Sequence, residues 1–279
     1  MNSFPLLRPG ELTTAALLIS ILSGFVVAYQ FEPAIPFEST TAIEAIIPWG
    51  YFWRGIHFWS SQAFFLLLIW HTWDKACDIG DAMPLRQKIS WSVVSSTLFF
   101  GLYALFSGYV LRYDGTGQAA GAIAEHLMLS IPLAGPLVDR FLLAISSDGV
   151  NRLYAVHILM GGLCWGVGVW YHTRRVILSG RAFLQLLVLL VFISLMVHVP
   201  LEFQTESSSL ITGPWFFMGI QEMLRSMDLF FAGVLFPALP IIMVALLPWI
   251  GRRVVVPLFF LFWTVFYFLT LFMALLRSE

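Results

Sequence analysis

Apolar residues gather in seven long runs along the chain, at 12–29, 51–73, 88–111, 153–173, 182–200, 228–249 and 254–276. Each run is long enough to cross a hydrocarbon layer about 30 Å thick as a helix. A backbone in lipid must close its hydrogen bonds within its own segment, so the pattern predicts helices. The fold class expected is an all-α membrane protein with seven transmembrane helices. The connections at 30–50, 112–152 and 201–227 are long, whereas those at 74–87, 174–181 and 250–253 are short. All three long ones fall on the same side. The first run lacks a basic leader beyond Arg8 and a clear small-residue exit before Gln30, so it is expected to stay as a membrane helix. Within the long connections, GAIAEHLMLSIPLAGPLVDRFLLAI and TGPWFFMGIQEMLRSM are amphipathic and Pro-interrupted, which suits short helices lying on the membrane surface.

Composition agrees with the pattern. Of 279 residues, 59% are hydrophobic and 11% charged, against about 25% charged in soluble domains. Net charge is −1, which gives no electrostatic reason to bind nucleic acid. The distribution of charge sets the orientation. With the N-terminus cytoplasmic, the inner segments carry nine bases (Arg8, Lys75, Arg86, Lys88, Arg174, Arg175, Arg181, Arg252, Arg253) against four acids (Glu11, Asp74, Asp78, Asp81). Basic residues in short loops favour the cytoplasmic side, so the long connections lie outside. Two cysteines, Cys77 and Cys164, make neither a disulfide framework nor a CxxCH haem attachment.

Four histidines change the picture from a generic bundle to a cofactor protein. His57 and His71 are 14 residues apart in one apolar run, and His157 and His172 are 15 apart in another. A rise of 1.5 Å per residue separates each pair by about 21–23 Å along its helix. The helical turn leaves the two members within about 40° and 60° of a common face. A lone membrane histidine is usually a core or proton-path residue. Four at matched depths on two helices instead close two bis-histidine sites, one above the other. Neutral imidazole is a good axial ligand, and two per iron suit a haem that carries electrons. His57 and His157 would hold an outer haem iron, and His71 and His172 an inner one. Arg54 and Arg152, close to the outer pair, either snorkel to the interface or pair with carboxylates. Arg175 lies beside the inner pair, where a cation would favour a reduced, anionic quinone.

The quoted residues resemble the cytochrome b family of quinol–cytochrome c and quinol–plastocyanin oxidoreductases over nearly the whole chain. RGIH…H (Arg54, His57, His71) is similar to the family's second helix, and RLYAVH…H (Arg152, His157, His172) to its fourth. SGYVL (Ser107–Leu111) matches the end of the third helix, and SIPLAGPLVDRFL resembles the outer surface helices. GPWFFMGIQEMLR stands where the family has its PEWY motif, and the last three runs resemble the separate small subunit of the photosynthetic complex. The resemblance implies a four-helix di-haem domain at 1–180 fused to a three-helix domain at 181–279. It implies two haem b groups, and propionate pairing by Arg54 and Arg152. It also implies that Gly10, Gly24 and Gly108 let a porphyrin edge approach the backbone. Where the photosynthetic form attaches a third haem through Cys, this chain has Arg8.

What the resemblance implies for function is electron transfer between a quinol/quinone pool and a redox partner. Its setting would be a homodimer within a larger complex in a bacterial inner membrane, among membrane lipid. Two departures fall at the outer quinol site. The PEWY positions read Gly213, Pro214, Trp215, Phe216, so the proton-accepting glutamate is missing, and Arg112 replaces the proline of GYVLPW. Glu222, eight residues after Pro214, is the candidate replacement base, with His126, Glu125, Glu202 and Glu206 also on that side. Two readings stay open: a bc-type subunit with iron–sulfur and cytochrome c-type partners, or a divergent di-haem cytochrome b. The second passes electrons to a multihaem cytochrome or periplasmic reductase without a Q cycle. A haem-free transporter or scaffold is the third class.

Overall fold

A computed structural model describes residues 8–80, 83–160, 172, 179–202, 213–250 and 255–278. All regular structure among these residues is helical. The long helices are α1 (Pro9–Gln30), α3 (Gly50–Cys77) and α4 (Leu85–Leu111), with α8 (Val150–Leu159) carrying the third histidine. Short helices α2 (Pro36–Ala45), α5 (Gly115–Leu129), α6 (Gly135–Leu142) and α7 (Ile145–Asp148) lie between them. The C-terminal part holds α9 (Gly180–Met196), α10 (Met218–Met223), a π-helical turn at Phe231–Leu235 running into α11 (Phe236–Ile250), and α12 (Val255–Ser278). Among the described residues four helices are long and apolar enough to cross a membrane: α1, α4, the run 231–250 and α12; α9 is apolar but shorter. The predicted run at 153–173 is helical as far as Met160, beyond which only His172 is described. The connection expected at 30–50 contains α2, whose start is set by Pro36 in its first turn.

Local chemistry explains the boundaries. Proline opens α1 and α2 and precedes α4, where its missing N–H costs nothing. Asp114 has extended backbone and accepts from the Gly117 amide, capping α5. Its carboxylate is 0% exposed, and it also meets Arg112, the Thr116 hydroxyl and the Glu202 amide. Trp49, at φ 61°, turns the chain sharply into α3. Gly50 follows because a Cβ there would lie 2.1 Å from the Ile43 carbonyl oxygen.

Packing divides into layers. Ala15, Ala16 and Ile19 of α1 bury against Ile56, Phe64 and Leu68 of α3, with Leu186 and Leu190 of α9 closing the group. The alanines let α1 come close to α3. A second core joins Tyr103, Phe106 and Val110 of α4 to Leu153 of α8, Ala124 of α5 and Phe216. A third sets Ile220 and Met223 of α10 on Ala232 and Phe236, flanked by Trp263 and Tyr267 of α12. Helix α9 thus docks on α1 and α3, and α11 docks on α4.

Helix α11 shows how apolar surroundings dictate partners. Pro240 and Pro248 lie inside it and lack N–H groups, so the carbonyls four residues earlier, on Phe236 and Val244, lose their helical donors. Tryptophan indoles supply both. Trp263 Nε1 of α12 donates to the Phe236 oxygen at 3.0 Å, and Trp91 Nε1 of α4 to the Val244 oxygen at 2.7 Å. Ser92 Oγ donates to the next carbonyl, Ala245, at 2.7 Å. Replacing Trp263 by Phe keeps the ring and strands the carbonyl, which costs about 1–3 kcal/mol. Pro240→Ala restores a helical donor, so in the Trp263→Phe background it is expected to recover most of that loss in detergent unfolding. Simple addition of two losses would contradict the assignment.

Candidate haem site

The two histidine pairs meet. His57 of α3 faces His157 of α8 with ring centroids 6.3 Å apart and planes at 82°. His71 of α3 faces His172 at 6.1 Å and 47°. Metal–imidazole bonds run about 2.0–2.1 Å, and a ring centre lies about 1.1 Å behind its Nε2, so an ion between two imidazoles sets their centroids about 6.2 Å apart. Both separations fit a single ion between the rings. They are too wide for a direct nitrogen–nitrogen hydrogen bond.

The second ring nitrogens tell the same story for the first pair. His57 Nδ1 lies 2.9 Å from the Ser20 carbonyl oxygen, to which it donates. His157 Nδ1 lies 2.8 Å from Ser107 Oγ, whose own proton goes to the Tyr103 carbonyl at 2.8 Å. With Ser107 donating to the backbone, its lone pair accepts from His157. Protonation at Nδ1 leaves each Nε2 lone pair free for a metal. Ser60 and Ser61 donate to the His57 carbonyl, and Ser61 also meets Ser20 Oγ at 2.8 Å, so α1 and α3 are tied at this level. His71 Nδ1 is buried without a hydrogen-bond partner among the described residues.

Glycines sit against three of the four ligands. A Cβ on Gly24 would lie 2.9 Å from His57 Cε1, one on Gly10 3.0 Å from His71 Cε1, and one on Gly108 3.2 Å from His157 Cε1. The structure thus gives these glycines a definite protein neighbour, the imidazole itself. The residues present fit two haem irons by ring spacing, and the His57/His157 pair by tautomer as well.

The remaining candidates are placed as follows. Arg54 is buried in α3 and engages Glu44 at 2.5 Å, the Pro200 carbonyl at 2.9 Å and the Val199 carbonyl at 3.4 Å. Arg152 pairs with Asp148 and donates to the Arg140 carbonyl, beside an open cleft lined by Asp148, Asn151 and Ala155. Glu222, 7% exposed in α10, has its oxygens engaged by Arg277 at 3.0 Å and Arg225 at 3.3 Å. Glu125 accepts from the Ser146 amide and hydroxyl, tying α5 to α7. Arg175, Cys164 and Glu206 lie outside the described residues. Sequence reasoning missed Glu44, Ser20 and Ser107, which are common polar residues with no spacing signature. It also left the Gly213–Phe217 segment without an anchor. That segment packs Phe216 into the α4–α8 core, and Phe217 packs tilted against Phe106 at 5.1 Å.

Long apolar helices together with two opposed imidazole pairs fit a membrane haem protein. A family model described as Cytochrome b/b6/petB matches residues 7–178, and the chain belongs to that cytochrome b family. Cytochrome b6 of Heliomicrobium gestii is 24% identical over 157 residues, covering 54% of this chain and 72% of that relative. Cytochrome b6 of Synechocystis sp. is 27% identical over 169 residues, covering 57% and 72%. Cytochrome b of Talaromyces marneffei is 26% identical over 156 residues, covering 54% and 40%. A solved structure, described as a hyperthermophilic respiratory Complex III, superposes with a TM-score of 0.69 at 20% identity, over 99% of this chain and 85% of that one. At that identity the likeness establishes the fold, and it extends through the C-terminal helices that the family model does not reach. The protein is therefore an integral membrane cytochrome b, a haem-binding electron-transport protein.

Gly24→Val is expected to lower the haem b content of the purified protein, because its branched side chain would displace the His57 ring. Gly180→Val is the control, since a Cβ there meets nothing within 4 Å. Equal haem in both variants, read by the pyridine haemochrome assay, would contradict the role assigned to Gly24.

Proposed function

We propose that the chain is the cytochrome b subunit of a quinol oxidoreductase, with two haem b groups held by His57/His157 and His71/His172. It carries electrons between a quinol/quinone pool and a redox partner. The observation that carries this reading is the pair of imidazole separations, 6.3 and 6.1 Å, on one helix at two depths. Fourteen residues of α3 separate the two levels, about 21 Å along its axis. When bound, haem b supplies one-electron carriage at a potential set by its axial nitrogens and surroundings. The chain's own part is to fix the ligands and keep water out. The Ser20 carbonyl and Ser107 hydroxyl hold two imidazoles in one tautomer, and Arg54 brings a buried cation within a turn of His57.

The same reading gives seven spans with the N-terminus cytoplasmic, the His57/His157 level outside, and a functional division at 1–180 and 181–279. It places the protein in a bacterial inner membrane, as a homodimer with cytochrome c-type or iron–sulfur subunits. Arg175 is the inner-side candidate for contact with reduced quinone, and Arg152 the second cation near the outer haem. The alternative, a di-haem cytochrome b serving a non-Rieske partner without a Q cycle, draws support from one feature of the outer half. Gly213–Phe216 offers no carboxylate, and the nearest buried one, Glu222, is held by two arginines.

Two outcomes check the reading. In a potentiometric titration of membranes, His71→Ala and His172→Ala are expected to abolish the same b-type component, and His57→Ala and His157→Ala the other. Loss of unmatched components would break the pairing. Glu222→Gln is expected to slow quinol oxidation with both haems intact, and an unchanged rate would remove Glu222 from the outer site.

A further inference from the structure

Gln62 lies on α3 between the two histidine levels, five residues from His57 and so about 7.5 Å further along the helix. At that depth hydrocarbon surrounds the bundle, and an amide left unpaired is costly. Five residues of twist turn Gln62 well away from the His57 face and toward Phe65, three residues on. Phe65 belongs to the core that holds Phe106 and Phe216. Across this face lies Trp215, whose indole Nε1 donates to Gln62 Oε1 at 3.0 Å. An indole N–H can only donate, so the bond fixes the amide with its oxygen toward Trp215 and its NH2 turned away. The NH2 finds no hydrogen-bond partner among the described residues.

A helix-bridging role spends the amide oxygen alone and leaves two N–H donors unused in an apolar layer. The surroundings match a planar, apolar ring bearing an oxygen acceptor. Trp215 and Phe216 have centroids 5.5 Å apart, and Phe217 continues the aromatic wall to Phe106. Tyr267 of α12 donates to the Trp215 carbonyl at 3.3 Å and braces the segment from the other side. Trp215 is 47% exposed and Gln62 half-buried, so the pair is reachable from the membrane side.

We propose that Gln62 is a quinone-binding residue of the outer half, its amide N–H donating to a headgroup oxygen, and that Trp215 is the positioning residue that holds the amide in that orientation. The proposal rests on the quinol-oxidoreductase reading above. It adds a polar contact on α3, remote in sequence from Glu222 and from the Gly213–Phe216 positions. The bond discriminates by acceptor, so it favours ligands with an exposed ring oxygen over apolar analogues of the same shape.

The test uses full-length, haem-loaded protein in native membranes. Reduction of the b haems is followed after mixing with decylbenzoquinol or with menadiol over a range of concentrations. Gln62→Met preserves length and volume and removes both donors. It is expected to raise the half-saturating quinol concentration about three- to tenfold, the worth of one neutral hydrogen bond. Haem per polypeptide and thermal unfolding should stay at wild-type values. Trp215→Phe keeps the ring and frees the amide, so it should give a smaller rise that is not additive with Gln62→Met. In infrared difference spectra, the carbonyl stretch of bound quinone should move to higher frequency in Gln62→Met. An unchanged half-saturation and an unmoved carbonyl stretch, with haem intact, overturn the proposal and leave the broader function standing. Wild-type protein whose haems accept electrons from neither quinol overturns both.

Discussion

Two imidazoles held face to face at each of two depths, with centroids 6.3 and 6.1 Å apart, are the constraint on which this structure turns. The partners lie 100 and 101 residues apart in sequence, so α3 and α8 must be held at one distance and one depth. Most of the remaining architecture can be understood as serving that alignment. The alanines of α1 seat it closely on α3, and Ser20 of α1 then reaches His57. The Tyr103–Leu153 core fixes α4 against α8, and Ser107 of α4 then reaches His157. The same two contacts that pack the bundle choose the tautomer of two ligands.

The second constraint is the absence of water around the spanning helices. Many polar groups there are satisfied by the protein itself. Serine and threonine hydroxyls return to carbonyls four residues back, as in Ser23 to Ile19 and Ser107 to Tyr103. Two prolines in α11 are tolerated because tryptophans on α4 and α12 fill the carbonyls they release. At the end of α4, Arg112 and Asp114 form a buried ion pair whose members also reach Pro200, Thr116 and Glu202. Gln62 stands out against this background because its amide N–H groups find no partner among the described residues.

Much of this was legible along the chain, for a definite reason. Axial ligation depends on residue type and helical repeat, so histidines 14 and 15 residues apart reveal both levels without any knowledge of loops. Helix positions followed from apolar length, with α1, α4, α9 and α12 beginning and ending within a few residues of their predicted runs. The hidden parts are those that depend on approach between distant segments. Glu44 meets Arg54 only because α2 folds back on α3, and Trp91 finds Val244 across 153 residues. Glu222 was visible as a carboxylate on the right segment, but its two arginine partners were not. One of them, Arg277, arrives from the far end of α12. Gln62 gave no signal because a single amide in an aromatic run has no periodicity to mark it.

With both histidine pairs filled as proposed, each polypeptide would carry two irons, each in its own bis-histidine frame. The most direct measurement is the amount of haem b extracted per mole of purified chain, set beside the low-spin ferric signals in its electron paramagnetic resonance spectrum. Two haems per chain with two distinct low-spin signals are predicted. One haem per chain, or a high-spin signal showing a missing axial ligand at either level, would contradict it.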